Sequence, residues 1–160
     1  MVTVGVIREI FQDVVESYAE DVRFFSRWSD VLDRDGSEHN PKALWRPPTV
    51  DILQEDAGHL TQQFTVAVAF FDDHASDRTG DQRDATYERM QIIAAHCWMR
   101  FHDLYVNGEA TYQGVSITLE QVSNATFTPV WDSAGDMATG CAMQVTLSSP
   151  YQVCTDDYFT

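Results

Sequence analysis

Lysine is almost missing from this 160-residue chain: Lys42 is the only one, and nine arginines complete the cations. Against them stand 17 aspartates and 8 glutamates, for a formal net charge of −15. Affinity for nucleic acid is carried chiefly by cation–phosphate attraction, so this balance argues against sequence-wide DNA or RNA binding. Anionic membrane surfaces are disfavoured for the same reason. Cysteine is scarce too. Cys97, Cys141 and Cys154 are widely spaced and odd in number, with no CxxC or CxxH, so neither a zinc site nor a disulfide framework is signalled. They read as reduced, buried small hydrophobes. No apolar run approaches the roughly 18 residues of a membrane span, and no basic segment followed by an apolar stretch opens the chain. A soluble protein of a reducing compartment, or one assembled there, is expected. GxSxG, HExxH and a glycine-rich phosphate loop are all lacking, so neither an enzyme nor a cofactor is expected.

What is present is a folded body. The apolar fraction is 44% and aromatics make up 12%, more than a disordered acidic chain carries. One domain over residues 1–150 is expected, followed by an acidic, aromatic tail at 151–160. The acids run through the whole chain instead of sitting in one tail. Such a coat suits strong brine, where like charges are screened within about 3 Å at molar salt against about 10 Å at 0.1 M. The other reading is a surface that repels nucleic acid or docks a basic partner. Brine predicts acids on all exposed faces; channel lining predicts them on one.

Residues 3 to 26 read as one amphipathic helix, with Ile7, Ile10, Phe11, Val14, Tyr18, Val22 and Phe25 on the buried face. Glu9, Asp13, Glu16 and Glu20 form an acidic stripe opposite. Asp35-Gly36, Asn40-Pro41 and Pro47-Pro48 mark 27–59 as a long irregular loop, extended at most over Ala43 to Arg46, and suited to a subunit contact. A strand follows from Leu60 to Asp72. Phe64, Val66, Val68 and Phe70 lie on one face, and small residues on the other would admit a helix. A second helix spans 82–107, with Met90, Ile93, Ala94, Cys97, Phe101 and Leu104 as core stripe and Asn107-Gly108 as stop. Alternation around Val115–Leu119, then toward Val130, and again over Cys141–Leu147 reads as strands, the last two joined by a glycine-containing turn. The order α–loop–β–α–β–β points to an α+β fold, a mainly antiparallel sheet with two long helices packed on one face.

Candidate sites are few. Asp33-Arg34-Asp35-Gly36 has the look of a calcium loop. Setting Gly36 at the sixth position, however, puts Val31 first and Lys42 twelfth, where acids are required. Asp72, Asp73, His74 and Asp77 gather hard ligands at a strand end without an identifiable nucleophile. His96 and His102 lie about 240° apart around a helix and cannot share a metal. Trp98, Arg100 and His102 read as an outward helix face. Trp45, held between Leu44 and the prolines, is suited to anchoring onto the body or onto a neighbour. Trp45, Trp98, Arg100, Trp131 and Phe159 are the candidate subunit contacts, since aromatics and arginine are favoured at interfaces.

Several phrases set in this element order carry a family likeness. They are Val68-Ala69-Phe70-Phe71-Asp72-Asp73; Tyr87-Glu88-Arg89-Met90-Gln91-Ile92-Ile93-Ala94; Asp136-Met137-Ala138-Thr139-Gly140-Cys141; and Val145-Thr146-Leu147-Ser148. Together with the long opening helix, they resemble the small tail and neck proteins of tailed bacteriophages, in particular tail-terminator or tail-completion proteins. The resemblance implies a structural virion protein with no catalytic residues. It implies a ring, commonly a hexamer, at the head–tail neck, assembled in the host cytoplasm and bound to tail-tube and neck proteins. DNA would pass through without specific binding, helped by an acidic lumen. Another phage neck or adaptor protein is the nearest variant. A non-viral halophilic binding module is the alternative from another class, and a small hydrolase using Asp72 to Asp77 comes third.

Overall fold

The computed structural model describes residues 1–27, 41–55, 59–73, 80–130 and 138–151. Helix α1 covers Val4–Glu16, where Thr3 caps the first turn by accepting from the Val6 amide at 3.3 Å. The helix ends ten residues short of the expected boundary. Ser17 closes it by donating from its hydroxyl to the Val14 carbonyl at 2.8 Å. The chain then re-emerges as a short strand, β1, Arg23–Phe25. Val22 and Phe25 are buried as expected, yet not on a helix. Val22 joins the main core, while Phe25 packs with Ala69 and Phe71 in a separate cluster. A spacing of three apolar residues is shared by a helix face and by a chain crossing a sheet edge.

The larger correction falls on 27–59. Strand β2, Lys42–Gln54, runs thirteen residues through the two prolines. It pairs antiparallel with β3, Leu60–Asp73, in a register that shifts between Arg46 and Thr49. The irregularity sits at Pro47-Pro48, which cannot donate to a ladder and are tolerated at bulges and edges. Read as punctuation, the prolines concealed a strand.

Helix α2 spans Gly80–Tyr105. Asn107 then takes a left-handed φ of 58° and donates its amide to the Leu119 carbonyl at 2.8 Å. Strands β4, Ala110–Tyr112, and β5, Val115–Ile117, form a tight hairpin. Its two turn residues, Gln113 and Gly114, both have positive φ, as a twist-matched two-residue turn requires. β6 (Glu120–Gln121), β7 (Thr126–Val130) and β8 (Ala138–Tyr151) complete the described strands. The main sheet has six strands in the order β1-β2-β3-β8-β6, with β7 also paired to β8. Only β1 with β2 is parallel among these pairs. Among the described residues the class is therefore α+β, with two helices and a mostly antiparallel, mixed sheet.

The core joins Ile7, Ile10, Phe11, Val14 and Val15 of α1 with Met90, Ile93, Ala94, Cys97, Trp98 and Phe101 of α2. Phe64, Val66, Val68 and Phe70 of β3, with Met143, Val145 and Leu147 of β8, belong to the same cluster. The helices thus meet the bulky face of β3, not the small-residue face expected to admit one. Large apolar side chains gain more from burial, at roughly 25 cal/mol per Å² of apolar surface. Leu104 is exposed, and Trp98, at the other margin of the stripe, is buried. Gly140 marks where β8 comes closest to β3. A Cβ there would collide with the Phe70 carbonyl and lie 2.6 Å from the Phe71 Cα.

Candidate functional site

Charge and polarity are unevenly placed on this scaffold, and the candidate site follows from that placement. Alternation along β3 leaves Thr61, Gln63, Thr65, Ala67, Ala69 and Phe71 on the sheet face turned away from the helices. Their β8 partners are Pro150, Ser148, Thr146, Gln144, Ala142 and Gly140. Across β2 they meet Leu53, Asp51, Thr49, Arg46, Leu44 and Lys42. Ala69, Phe71 and Phe25 bury one end of this outer face, while Thr61, Gln63, Thr65 and Ala67 remain half-buried. The Thr65 and Thr146 hydroxyls hydrogen-bond across the strands at 3.3 Å. Neither β3 from Leu60 to Phe71 nor β8 carries a charged side chain. On a chain of net charge −15, the β3 and β8 part of this face is uncharged, while Lys42, Arg46 and Asp51 stand along its β2 side and Glu120 lies opposite Ser148.

Both helices carry acids, others stand on β2, β6 and the end of β3, and several are engaged. Asp13 accepts from the Tyr112 hydroxyl at 2.6 Å, and Glu16 from Gln12 Nε2 at 3.0 Å. Glu20 pairs with Arg89 at 2.5 Å. Arg89 also approaches Asp72 at 3.8 Å, joining the buried end of β3 to α2 and to the segment after α1. The hydrogen bond from its own O–H to Asp13 holds the Tyr112 phenol protonated, with its pKa raised to about 12. Burial pushes the Cys97 thiol up to about 12 and the Cys141 thiol up to about 11, so both are poor nucleophiles near neutral pH. Tyr18 is likewise raised, first by desolvation and then by the Glu20 carboxylate and Cys97. Its hydroxyl lies 3.0 Å from His96 Nδ1.

The structure separates the residues singled out in the sequence. Trp45 is buried between Phe11 and Phe24, with ring centroids 6.2 and 6.3 Å away, and so anchors onto its own body. Trp98 is a core residue and not part of an outward face. It lies one helical turn from Ala94 and stacks on Phe101 at 5.8 Å. Arg100 is exposed, as read. His102 is half-buried, edge-on to Trp98 at 5.7 Å and 3.8 Å from Asp103. Asp73 ends β3 opposite Ala138. Asp33, Asp35, His74, Asp77, Trp131 and Phe159 lie outside the described residues. Among the described residues, no group of three or more His, Cys, Asp or Glu is placed to hold a metal ion, and no helix is long and apolar enough to cross a membrane. A shallow recess of about 200 Å³ between Val2, Ser116, Thr118, Ser149 and Pro150 brings no titratable side chains together.

From the sequence the strands read as nearly free of acids, but the small-residue face of β3 reads as a seat for a helix and not as an open face. Its signal was present as an uncharged stretch from Ala138 to Thr155 in a chain otherwise dense with acids. No family model matches the chain, and no curated protein matches it.

Proposed function

We propose that this chain is a structural subunit of a tailed-phage virion, acting as a tail-terminator or tail-completion protein that assembles with its own copies into a ring at the head–tail neck. The uncharged β3 and β8 part of the sheet's outer face carries the assembly half of this reading. A protein that meets further copies of itself must spare the contact from like charge, and β3 and β8 are spared while the helices are not. The virion half rests on the resemblance of the β3, α2 and β8 phrases to phage tail and neck proteins. Both long helices lie on one side of the sheet in this arrangement, leaving the opposite side for neighbours. A chain of net charge −15 offers phosphate little to bind, in keeping with DNA that slides past.

Light scattering and electron microscopy in molar salt test the reading. Closed rings, of six copies in the expected case, are the predicted result. A strictly monomeric chain at every concentration, alone or with tail-tube protein, overturns it.

A further inference from the structure

Exposed large hydrophobics lie on both β2 and α2 among the described residues, and those on β2 are the closest together in sequence. Val50, Ile52 and Leu53 are 41%, 53% and 41% exposed, three large hydrophobics within four residues. They sit on an edge. β1 covers β2 only from Lys42 to Leu44, and among the described residues no strand pairs with Thr49–Gln54 on the side away from β3. An edge strand presents unmet backbone donors and acceptors, and native proteins blunt such edges with charge or proline. Here Pro47 and Pro48 blunt the first half, while the second half is left bare and aliphatic. Ile92 and Met99 on α2 are as exposed, but a helix has already satisfied its own backbone.

We propose that Thr49–Gln54 is a pairing edge for a second copy of this chain, the two β2 strands running antiparallel. Charge selects the occupant. Arg46 and Asp51 are the only charged residues from Ala43 to Gln54, so the segment is balanced within a strongly acidic chain. Both stand on the outer face, opposite Ala67 and Gln63. Antiparallel pairing centred on this segment brings Arg46 of each copy toward Glu55 of the other, twice by symmetry, and sets the two Asp51 side by side at the axis, a like-charge contact that molar salt screens. The same two-fold axis keeps faces together, so Val50 and Ile52 of both copies meet on the opposite face. Nucleic acid and anionic membranes are repelled by the surrounding charge. The contact is isologous and closes at two copies, so it does not by itself make the ring proposed above.

Light scattering in molar salt on the full chain, the Val50→Lys/Ile52→Lys variant and an Ile92→Lys/Met99→Lys control tests this contact. The expected result is a wild-type particle of an even number of chains. The β2 variant should halve it or weaken association by about tenfold or more, with the control unchanged. Amide exchange on the wild-type protein gives a second reading that needs no substitution: Thr49–Gln54 should become protected as concentration rises. A wild-type assembly that survives the β2 changes, or that shows no such protection, overturns the pairing edge and leaves the ring reading standing. A wild-type dimer that the β2 changes dissociate supports the edge and overturns the ring. A wild-type monomer overturns both.

Discussion

Helix α2 and strand β8 lie against each other and are built from opposite materials. In its 26 residues α2 carries Asp81, Arg83, Asp84, Glu88, Arg89, Arg100 and Asp103. Strand β8 carries no charged side chain in 14. Each has one face in the shared core, through Met90, Ile93 and Cys97 on one side and Met143, Val145 and Leu147 on the other. The difference lies in the faces turned outward. A coat laid down only to tolerate brine would cover both. The described outer face of β3 and β8 is spared instead, and its side chains are threonine, serine, glutamine and alanine, with Phe71, Gly140 and Pro150 at its ends. Salt tolerance would account for the helices, while the sheet would need a second reason, which the contact with neighbouring copies proposed above would supply. The strands also give no support to an acidic channel lining.

The sharpest way to break this comparison is to cut into what the two elements share. Phe101 is fully buried and touches Phe11, Trp98 and Tyr105 at ring-centroid distances of 5.3 to 5.9 Å. Phe101→Ala should cost about 3–5 kcal/mol, read from urea unfolding in molar salt. Gly140→Ala comes next, at about 1–3 kcal/mol, because backbone atoms of Phe70 and Phe71 must move to admit a methyl group. Gln144→Glu, on the exposed outer side of β8, should change monomer stability by less than about 0.5 kcal/mol. If Gln144→Glu unfolds the monomer as Phe101→Ala does, the outer face is structural and its neutrality has nothing to do with partners.

How far the sequence could be read divides along the same line. Strand β3 and helix α2 were legible because burial on one side imposes a clear period, and Phe64 to Phe70 and Met90 to Phe101 keep it. Helix α1 was overrun because Val22 and Phe25 continue its spacing by coincidence while serving two different clusters. β2 was lost because its second half is exposed on both faces and therefore has no hydrophobic period to read, and because two prolines mimic a loop. The acidic stripe of α1 was visible, but not that Asp13, Glu16 and Glu20 find partners in Tyr112, Gln12 and Arg89. Tyr112 is 99 residues from Asp13, and no local pattern reports a contact of that range.

Those partners reshape the salt dependence. An unpartnered stripe predicts a steep loss of stability as salt falls below about 0.1 M. With Glu20 held by Arg89 and Asp13 hydrogen-bonded, the loss for a single chain should be modest, a few degrees in Tm between roughly 2 M and 0.05 M salt. Arg89→Gln should steepen it, since Glu20 and Asp72 then face each other without their shared cation. A Tm flat over that range in both proteins removes brine as the explanation for the charge on the helices.

The smallest effect concerns Tyr112, and it sharpens the contact between α1 and the β4–β5 hairpin. Its hydroxyl donates to Asp13, and that bond raises its pKa from the usual 10.0 to about 12. A raised folded-state value means that the unfolded chain loses this proton first as pH climbs. The stabilisation is therefore intact below pH 10 and is lost as pH rises from there through about 12. Cys97, raised from 9.0 to about 12 by burial, adds a loss of the same sign that begins a unit lower. Stability of the wild-type chain should fall through this window, and Tyr112→Phe should remove Tyr112's share of the part that begins near pH 10 while leaving those of Tyr18 and of the Cys97 and Cys141 thiols. An ultraviolet titration gives the direct reading: Tyr112 and Tyr18 should both ionise later in the folded wild type than in the unfolded chain, and Tyr112→Phe should remove one of the two delayed phenols. If Tyr112 ionises near 10 in the folded protein, the hydrogen bond to Asp13 is absent in solution, and the acidic stripe is more exposed than the structure has it.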